Sequence, residues 1–110
     1  MDGGSLAFAL GGKWLAVWRR ERTVIASDTS APEKQLAANA AQPVTAFAGN
    51  TPLMLWEANG ALMLQRGNAA PVRFAENAAA ASIVSGPESA AVVWEADVNS
   101  AKTILLERVR

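Results

Sequence analysis

Two glutamates come closest, in type and spacing, to a catalytic pattern. Glu57 and Glu95 each directly follow a tryptophan, at the same place in two successive copies of a sequence repeat. Paired carboxylates perform acid–base chemistry on glycosidic bonds when they flank the bond that breaks. The equivalent position after Trp18 is Arg19, however, and a whole repeat separates the two acids. We therefore expect them to be rim or turn residues, and we predict no catalytic residue.

Metal and cofactor chemistry has little support in the composition. The chain contains no histidine, cysteine or tyrosine, so the commonest general base and the usual zinc ligands are absent. The segment Asp97–Val98–Asn99 resembles the start of a calcium loop but lacks its glycine and distal glutamate. The pairs Gly3–Gly4 and Gly11–Gly12 lack the lysine of a phosphate-binding loop. We predict no metal and no cofactor.

Tryptophans are the candidate ligand-binding residues. Their rings could stack on the faces of sugars, but large aromatic side chains also serve as apolar wedges between packed layers. We favour the wedge for the three that are evenly spaced, and Trp14 is the better candidate for an exposed aromatic. The full candidate set is Trp14, Trp18, Trp56 and Trp94.

Charge and hydrophobicity narrow the class of partner. Ten basic and ten acidic side chains balance, so no overall field favours nucleic acid. No apolar run approaches the roughly 18 residues that span a bilayer, and the first residues do not resemble a signal peptide. We expect a carbohydrate or protein ligand, and neither nucleic acid nor a membrane. The composition leaves the compartment open.

An internal repeat is the main structural signal. Trp18, Trp56 and Trp94 end three apolar runs and are evenly spaced; we call their spacing the repeat interval. Asn59–Gly60 is a strong hairpin signal, and each unit divides into short strand-like segments. Four short strands in about 40 residues are typical of a β-propeller blade. We predict an all-β, antiparallel, propeller-type chain of two four-stranded blades and one three-stranded blade, with repeats at about 5–42, 43–80 and 81–110.

Turn residues, prolines and alanine-rich runs give more detailed expectations about single segments. Turn chemistry at residues 28–32 separates two strands, and Pro43 is expected to open the second unit. Alanine-rich runs at 37–41 and 76–81 favour a helix as the competing interpretation, but they are short and flanked by proline. The central runs are apolar at consecutive positions, which predicts strands buried on both faces.

The third unit lacks a fourth strand. Propellers commonly close by borrowing the missing strand from the beginning of the chain, but this chain begins with a first strand. We therefore expect either the C-terminal part of a larger propeller or a chain that closes by self-association, since isolated blades would expose apolar faces and open edges.

The repeat resembles the sialidase-like propellers with BNR, or Asp-box, repeats. Leu55–Trp56–Glu57 and Val93–Trp94–Glu95 resemble their apolar–Trp–acid element, and Ile25–Ala26–Ser27–Asp28 resembles the entry to an Asp box. The box then departs from the family pattern, because Ala31 and Pro32 follow without its glycine and tryptophan. In the second unit, residues 65–67 (Gln-Arg-Gly) carry no aspartate.

The resemblance does not carry catalytic activity to this chain. Sialidases use an arginine triad and a tyrosine nucleophile, and this chain has no tyrosine. We expect a non-catalytic scaffold or a carbohydrate- or protein-binding module. Two alternatives are the C-terminal part of a sialidase-like glycoside hydrolase, and a small lectin that completes a propeller by oligomerisation. The resemblance implies a periplasmic or secreted protein.

Overall fold

The chain is built of eleven β-strands. The structure is a computed structural model that describes residues 3–9, 11–29 and 31–110. Within this part of the chain no helix has the length and hydrophobicity to cross a membrane. The strands are β1 (Gly4–Phe8), β2 (Trp14–Arg20), β3 (Thr23–Asp28), β4 (Ala31–Ala38), β5 (Ala41–Ala48), β6 (Thr51–Ala58), β7 (Ala61–Arg66), β8 (Val72–Glu76), β9 (Ala78–Val84), β10 (Ala90–Val98) and β11 (Ala101–Val109).

Consecutive strands pair to form three antiparallel sheets. Sheet 1 contains β1 to β4, sheet 2 contains β5 to β8, and sheet 3 contains β9 to β11, each in chain order. Every connection within a sheet is a hairpin, because each strand pairs with the strand that follows it. The prediction of an all-β chain with antiparallel units of four, four and three strands is confirmed.

Sheet 2 is the middle layer of the molecule. Leu53 and Leu55 lie in an apolar cluster shared with sheet 3, whereas Met54 and Trp56 lie in a second cluster shared with sheet 1. All four side chains are buried. Successive side chains of a strand point to opposite faces, so this run of four apolar residues places two on each side. The predicted burial of both faces is confirmed for this strand.

The backbone repeats as the sequence does. Left-handed backbone recurs at the repeat interval in three pairs of non-glycine residues: Glu21 and Asn59, Asn39 and Asn77, Gln42 and Ala80. Asn59 and Gly60 both have positive φ, 52° and 77°, and they join β6 to β7 as the hairpin signal predicts.

Two local expectations are wrong. The turn at residues 28–32 is shorter than predicted, because β4 begins at Ala31 and this residue pairs with Asp28. Pro43 does not open the second unit but lies inside β5, where an irregularity in the pairing between Ala41 and Val44 accommodates a residue without an N–H. The runs at 37–41 and 76–81 are not helical: they lie in strands and in the tight connections between sheets, as the favoured interpretation predicts.

The first strands of the three sheets lie side by side. Two backbone N–H groups of β5 donate to serine hydroxyls of its neighbours: Thr45 to Ser5 Oγ at 3.1 Å and Phe47 to Ser85 Oγ at 2.9 Å. A parallel bridge joins Ala48 to Gly86. The open edge of β5 is therefore hydrogen-bonded to both adjacent sheets.

Candidate functional site

A cleft of about 490 Å³ opens between sheets 1 and 2. It lies where β3, β5 and β7 end and β2, β4 and β6 begin, so hairpin connections of both sheets surround it. Its walls consist of Lys13, Trp14, Leu15, Ala26, Ser27, Asp28, Thr29, Pro32, Lys34, Leu36, Phe47, Asn50, Pro52, Met54, Gln65, Gly67 and Asn68.

The floor of the cleft is apolar. Leu15 and Ala26 come from sheet 1, and Phe47 and Met54 come from sheet 2. All four are buried and belong to the cluster between these sheets. The core that joins the two sheets therefore ends at the floor of the cleft, which makes the floor as firmly positioned as the core itself.

The mouth of the cleft is polar. Asp28 stands directly opposite Leu15 in the sheet, and Lys34 stands opposite Ala26. Residues that face each other on paired strands share one face of the sheet, so both charged side chains lie on the side of sheet 1 that faces sheet 2. Asn50 and Asn68 lie on the connections of sheet 2 at the same rim.

Gln65 is the buried polar side chain of the cleft wall. It pairs with Met54 and therefore faces sheet 1. Its Nε2 donates to the carbonyl oxygen of Gly67 at 3.2 Å, which fixes the orientation of the amide. A carboxamide carries two N–H donors and an acceptor oxygen, so this single bond uses only part of its capacity.

Trp14 lies at the edge of the cleft with its backbone held firmly. Its N–H donates to Thr29 Oγ1 at 2.7 Å, and the hydroxyl of Thr29 donates back to the carbonyl of Trp14 at 3.2 Å. Trp14 pairs with Phe8, which assigns its side chain to the face of sheet 1 that points away from sheet 2. The residue is half-buried.

The other three tryptophans lie on different sheets and differ in what covers them. Trp56 is 2 % exposed between sheets 1 and 2, and Trp94 is 6 % exposed between sheets 2 and 3. Trp18 is half-buried on the outer face of sheet 1, since its neighbours Val17 and Arg19 alternate with it. The burial of Trp56 and Trp94 agrees with their interpretation as wedges between layers, and the structure does not gather the four rings into one site.

The two glutamates lie in adjacent sheets. Glu57 Oε2 accepts a hydrogen bond from the N–H of Ala80 at 3.0 Å, which connects sheet 2 to β9. Glu95 is half-buried in β10. Within residues 3–9, 11–29 and 31–110, no group of three or more acidic, histidine or cysteine side chains could hold a metal ion.

A second groove lies at the opposite rim. Its volume is about 540 Å³, and it is wider at the mouth than the cleft. Arg19, Arg22, Asn39, Glu57 and Asn59 line it together with Gly60 and small alanine side chains. It has charged and amide groups but no large apolar floor, which distinguishes it from the cleft between sheets 1 and 2.

Sequence reasoning did not single out the polar residues of the cleft as a group. The sequence places Asp28 in a turn and at the entry to a degenerate Asp box, and it does not connect Asp28 with Lys34, Asn50 or Gln65. The repeat contains a signal that could have identified these residues as a group. Residues that follow the first and third strands of each unit must lie at one rim, and the amides and charges of units one and two concentrate there.

Comparisons with models of protein families, with curated proteins and with solved structures find no match to this chain.

Proposed function

We propose that the chain is a non-catalytic binding module, a sector of a β-propeller that takes a carbohydrate in the cleft between sheets 1 and 2. The observation that carries the proposal is the combination of an apolar floor with a polar mouth in one cleft. Ligand sites typically have volumes of about 300–1,000 Å³, are largely apolar, and contain a few oriented polar groups. The cleft has these features.

A saccharide matches this distribution of groups. A pyranose ring has an apolar face of C–H groups and a rim of hydroxyls that donate and accept hydrogen bonds. Leu36 and Phe47 offer apolar surface, whereas Asn50, Asn68 and Gln65 offer amides that can both donate and accept. Lys34 adds donors at the mouth. Trp14 borders the cleft, but its ring lies on the opposite face of sheet 1, so we expect the ligand to meet its backbone and not the ring.

Three observations support the propeller part of the proposal. The sheets follow one another in chain order, the middle sheet is buried on both faces, and the first strands adjoin. In propellers, four-stranded sheets surround a central channel with their faces packed on one another. The likeness to sialidase-like repeats belongs to the same proposal and assigns no catalytic role.

The direct test is a titration of the chain with a panel of neutral and acidic oligosaccharides, followed by amide chemical shifts. We expect the shifts to concentrate on the cleft residues, Phe47, Asn50 and Gln65 among them. Lys34→Ala and Asn50→Ala should each weaken binding roughly tenfold, because a hydrogen bond to a ligand is typically worth about 1–1.5 kcal/mol.

Lys102→Ala is the matched control. Lys102 is an exposed lysine of β11, paired with Asp97 at 3.4 Å and remote from the cleft, so this variant should bind like the unmodified chain. Shifts confined to the opposite-rim groove, or no saccharide bound at all, would contradict the proposal and direct attention to a protein ligand.

A further inference from the structure

We propose that the outer faces of sheets 1 and 3 bind each other between two copies of this chain, closing a head-to-tail ring of six sheets. The inference rests on the propeller part of the proposed function. A second copy fits these faces, because each outer face is the counterpart, in the repeat, of a face that is already buried inside the chain.

The tail face is the outer face of sheet 3. Val84, Ile104 and Leu106 are 64 %, 66 % and 70 % exposed. Val84 is paired with Ala91, and Leu106 with Val93, on the same side of the sheet. We define the tail face by Val84, Ala91, Val93, Ile104 and Leu106. Two charged residues lie on the same side of the sheet, Glu95 opposite Ile104 and Arg108 opposite Ala91.

Every member of the tail face has a buried counterpart in sheet 2. Ile104 and Leu106 occupy the places that Leu62 and Leu64 occupy in sheet 2, and those two leucines are fully buried against sheet 3. The tail face is therefore the kind of surface that packs on a following sheet.

The head face is the outer face of sheet 1. Leu6 and Phe8 are 59 % and 63 % exposed. They pair with Ala16 and Trp14, respectively, and Trp18 lies on the same side. We define the head face by Leu6, Phe8, Trp14, Ala16 and Trp18.

The head face likewise has a buried counterpart. Phe8 pairs with Trp14 as Phe47 pairs with Pro52, and Pro52 lies one repeat interval after Trp14. Phe47 is buried between sheets 1 and 2, and so is the repeat tryptophan of sheet 2, which is the counterpart of Trp18. The head face is therefore the kind of surface that packs on a preceding sheet.

The head face is complementary to the tail face, and neither face is complementary to a second copy of itself. A sheet that follows sheet 3 would have to present a head-type face, and sheet 1 of a second copy presents one. Five of the eight large apolar side chains exposed in the described part of the chain lie on these two faces, and contiguous exposed apolar surface is typical of interaction sites. With ten charges of each sign, the copies carry no net charge that would repel.

The number of copies follows from the number of sheets. Propellers typically have four to eight blades. Two copies with three sheets each supply six, and a third copy would exceed that range. In a two-fold ring the head face and the tail face of each copy are both buried against the other copy. No face stays free to bind a third copy, so the assembly closes and does not grow into a filament.

The test compares three forms of the full chain by light scattering during size-exclusion chromatography. The unmodified chain should have twice the 11.5 kDa chain mass. Phe8→Glu in the head face and Leu106→Arg in the tail face should each yield monomers. A dimer of either variant would bury one introduced charge in each of its two head–tail contacts. Val72→Arg is the control. Val72 is 48 % exposed but belongs to neither face, so this variant should remain a dimer.

Mixing the two variants tests the polarity of the contact. A heterodimer has one unmodified head–tail pair and one pair that opposes the introduced glutamate of one copy with the introduced arginine of the other. The equimolar mixture should therefore regain the dimer mass. Circular dichroism checks that each variant is folded, and substitution at such exposed positions should preserve the strand content.

Several results would overturn the inference. These are a monomeric unmodified chain, a dimer that neither variant disrupts, a larger or polydisperse assembly, or a Leu106→Arg variant that stays dimeric while Phe8→Glu does not. Saccharide titration of the Leu106→Arg variant separates this proposal from the previous one. The cleft lies within one copy, so this monomeric variant should still bind saccharide. Saccharide binding by an unmodified chain that is itself monomeric would contradict the ring alone, whereas a dimer that binds no saccharide would contradict the proposed binding alone.

Discussion

The side chain of Trp94 contributes both a favourable and an unfavourable term to stability. Its ring meets Phe74 edge-on, with centroids 5.1 Å apart and planes inclined at 69°, an arrangement that aromatic pairs favour. Its indole N–H is buried and has no hydrogen-bond partner within the described residues. A buried donor without a partner typically costs about 1–3 kcal/mol, so the packing of the ring must outweigh that cost.

Replacement of Trp94 should therefore depend strongly on the substitute. We expect Trp94→Ala to lower the free energy of unfolding by about 3–5 kcal/mol, as is usual for a buried tryptophan. Trp94→Phe keeps a ring against Phe74 and removes the unpaired N–H, so it should cost less than half as much. Denaturant unfolding of the three proteins measures both values. Equal losses for the two variants would contradict the packing described here.

Adjacent sheets meet at a point where two connecting segments touch. Gly49 donates its N–H to the carbonyl of Gly86 at 2.9 Å, and Gly86 donates to the carbonyl of Phe47 at 3.2 Å. Gly49 has φ of 62°, and a Cβ there would lie 3.0 Å from the carbonyl oxygen of Pro87. The turn after β5 thus requires glycine for two reasons: its φ is positive, and sheet 3 approaches too closely to leave room for a side chain.

A pair of glycine substitutions separates these two requirements. Gly67 has φ of 53° and open space around its missing side chain, so Gly67→Ala should cost only the left-handed backbone, about 1–2 kcal/mol. Gly49→Ala should cost more, because the same backbone penalty adds to the contact with Pro87. The difference in unfolding midpoint between the variants measures that contact. If Gly49→Ala were the milder of the two, the contact between sheets 2 and 3 would be misplaced.

The elements were predictable from sequence to the extent that local signals decide them. β7 begins directly after the Asn59–Gly60 hairpin signal, and β2 contains the apolar run that ends at Trp18. The position of Pro43 was not predictable, because proline occurs both at the first residue of a strand and at a bulge, and only the pairing irregularity between Ala41 and Val44 distinguishes the two. The cleft was not predictable, because Lys34 and Asn50 come to line one cleft only when two sheets stack.

The molecule is a stack of three like sheets in which each tryptophan of the repeat faces the preceding sheet. Trp94 packs on sheet 2, Trp56 packs on sheet 1, and Trp18 lies on the head face, where the proposed ring places sheet 3 of the second copy. The repeat therefore determines more than the positions of the strands in the sequence. It sets the direction in which the sheets follow one another, and both the cleft and the proposed dimer depend on that order.

Nuclear Overhauser contacts from the indole rings test this order most directly. We predict that Trp56 contacts methyl groups of sheet 1, from Leu15, Val17 or Val24, and that Trp94 contacts Phe74 and leucine methyls of sheet 2. Both rings reporting contacts with a single sheet, or Trp94 reporting contacts with sheet 1, would contradict the stack and with it the proposals built on its order.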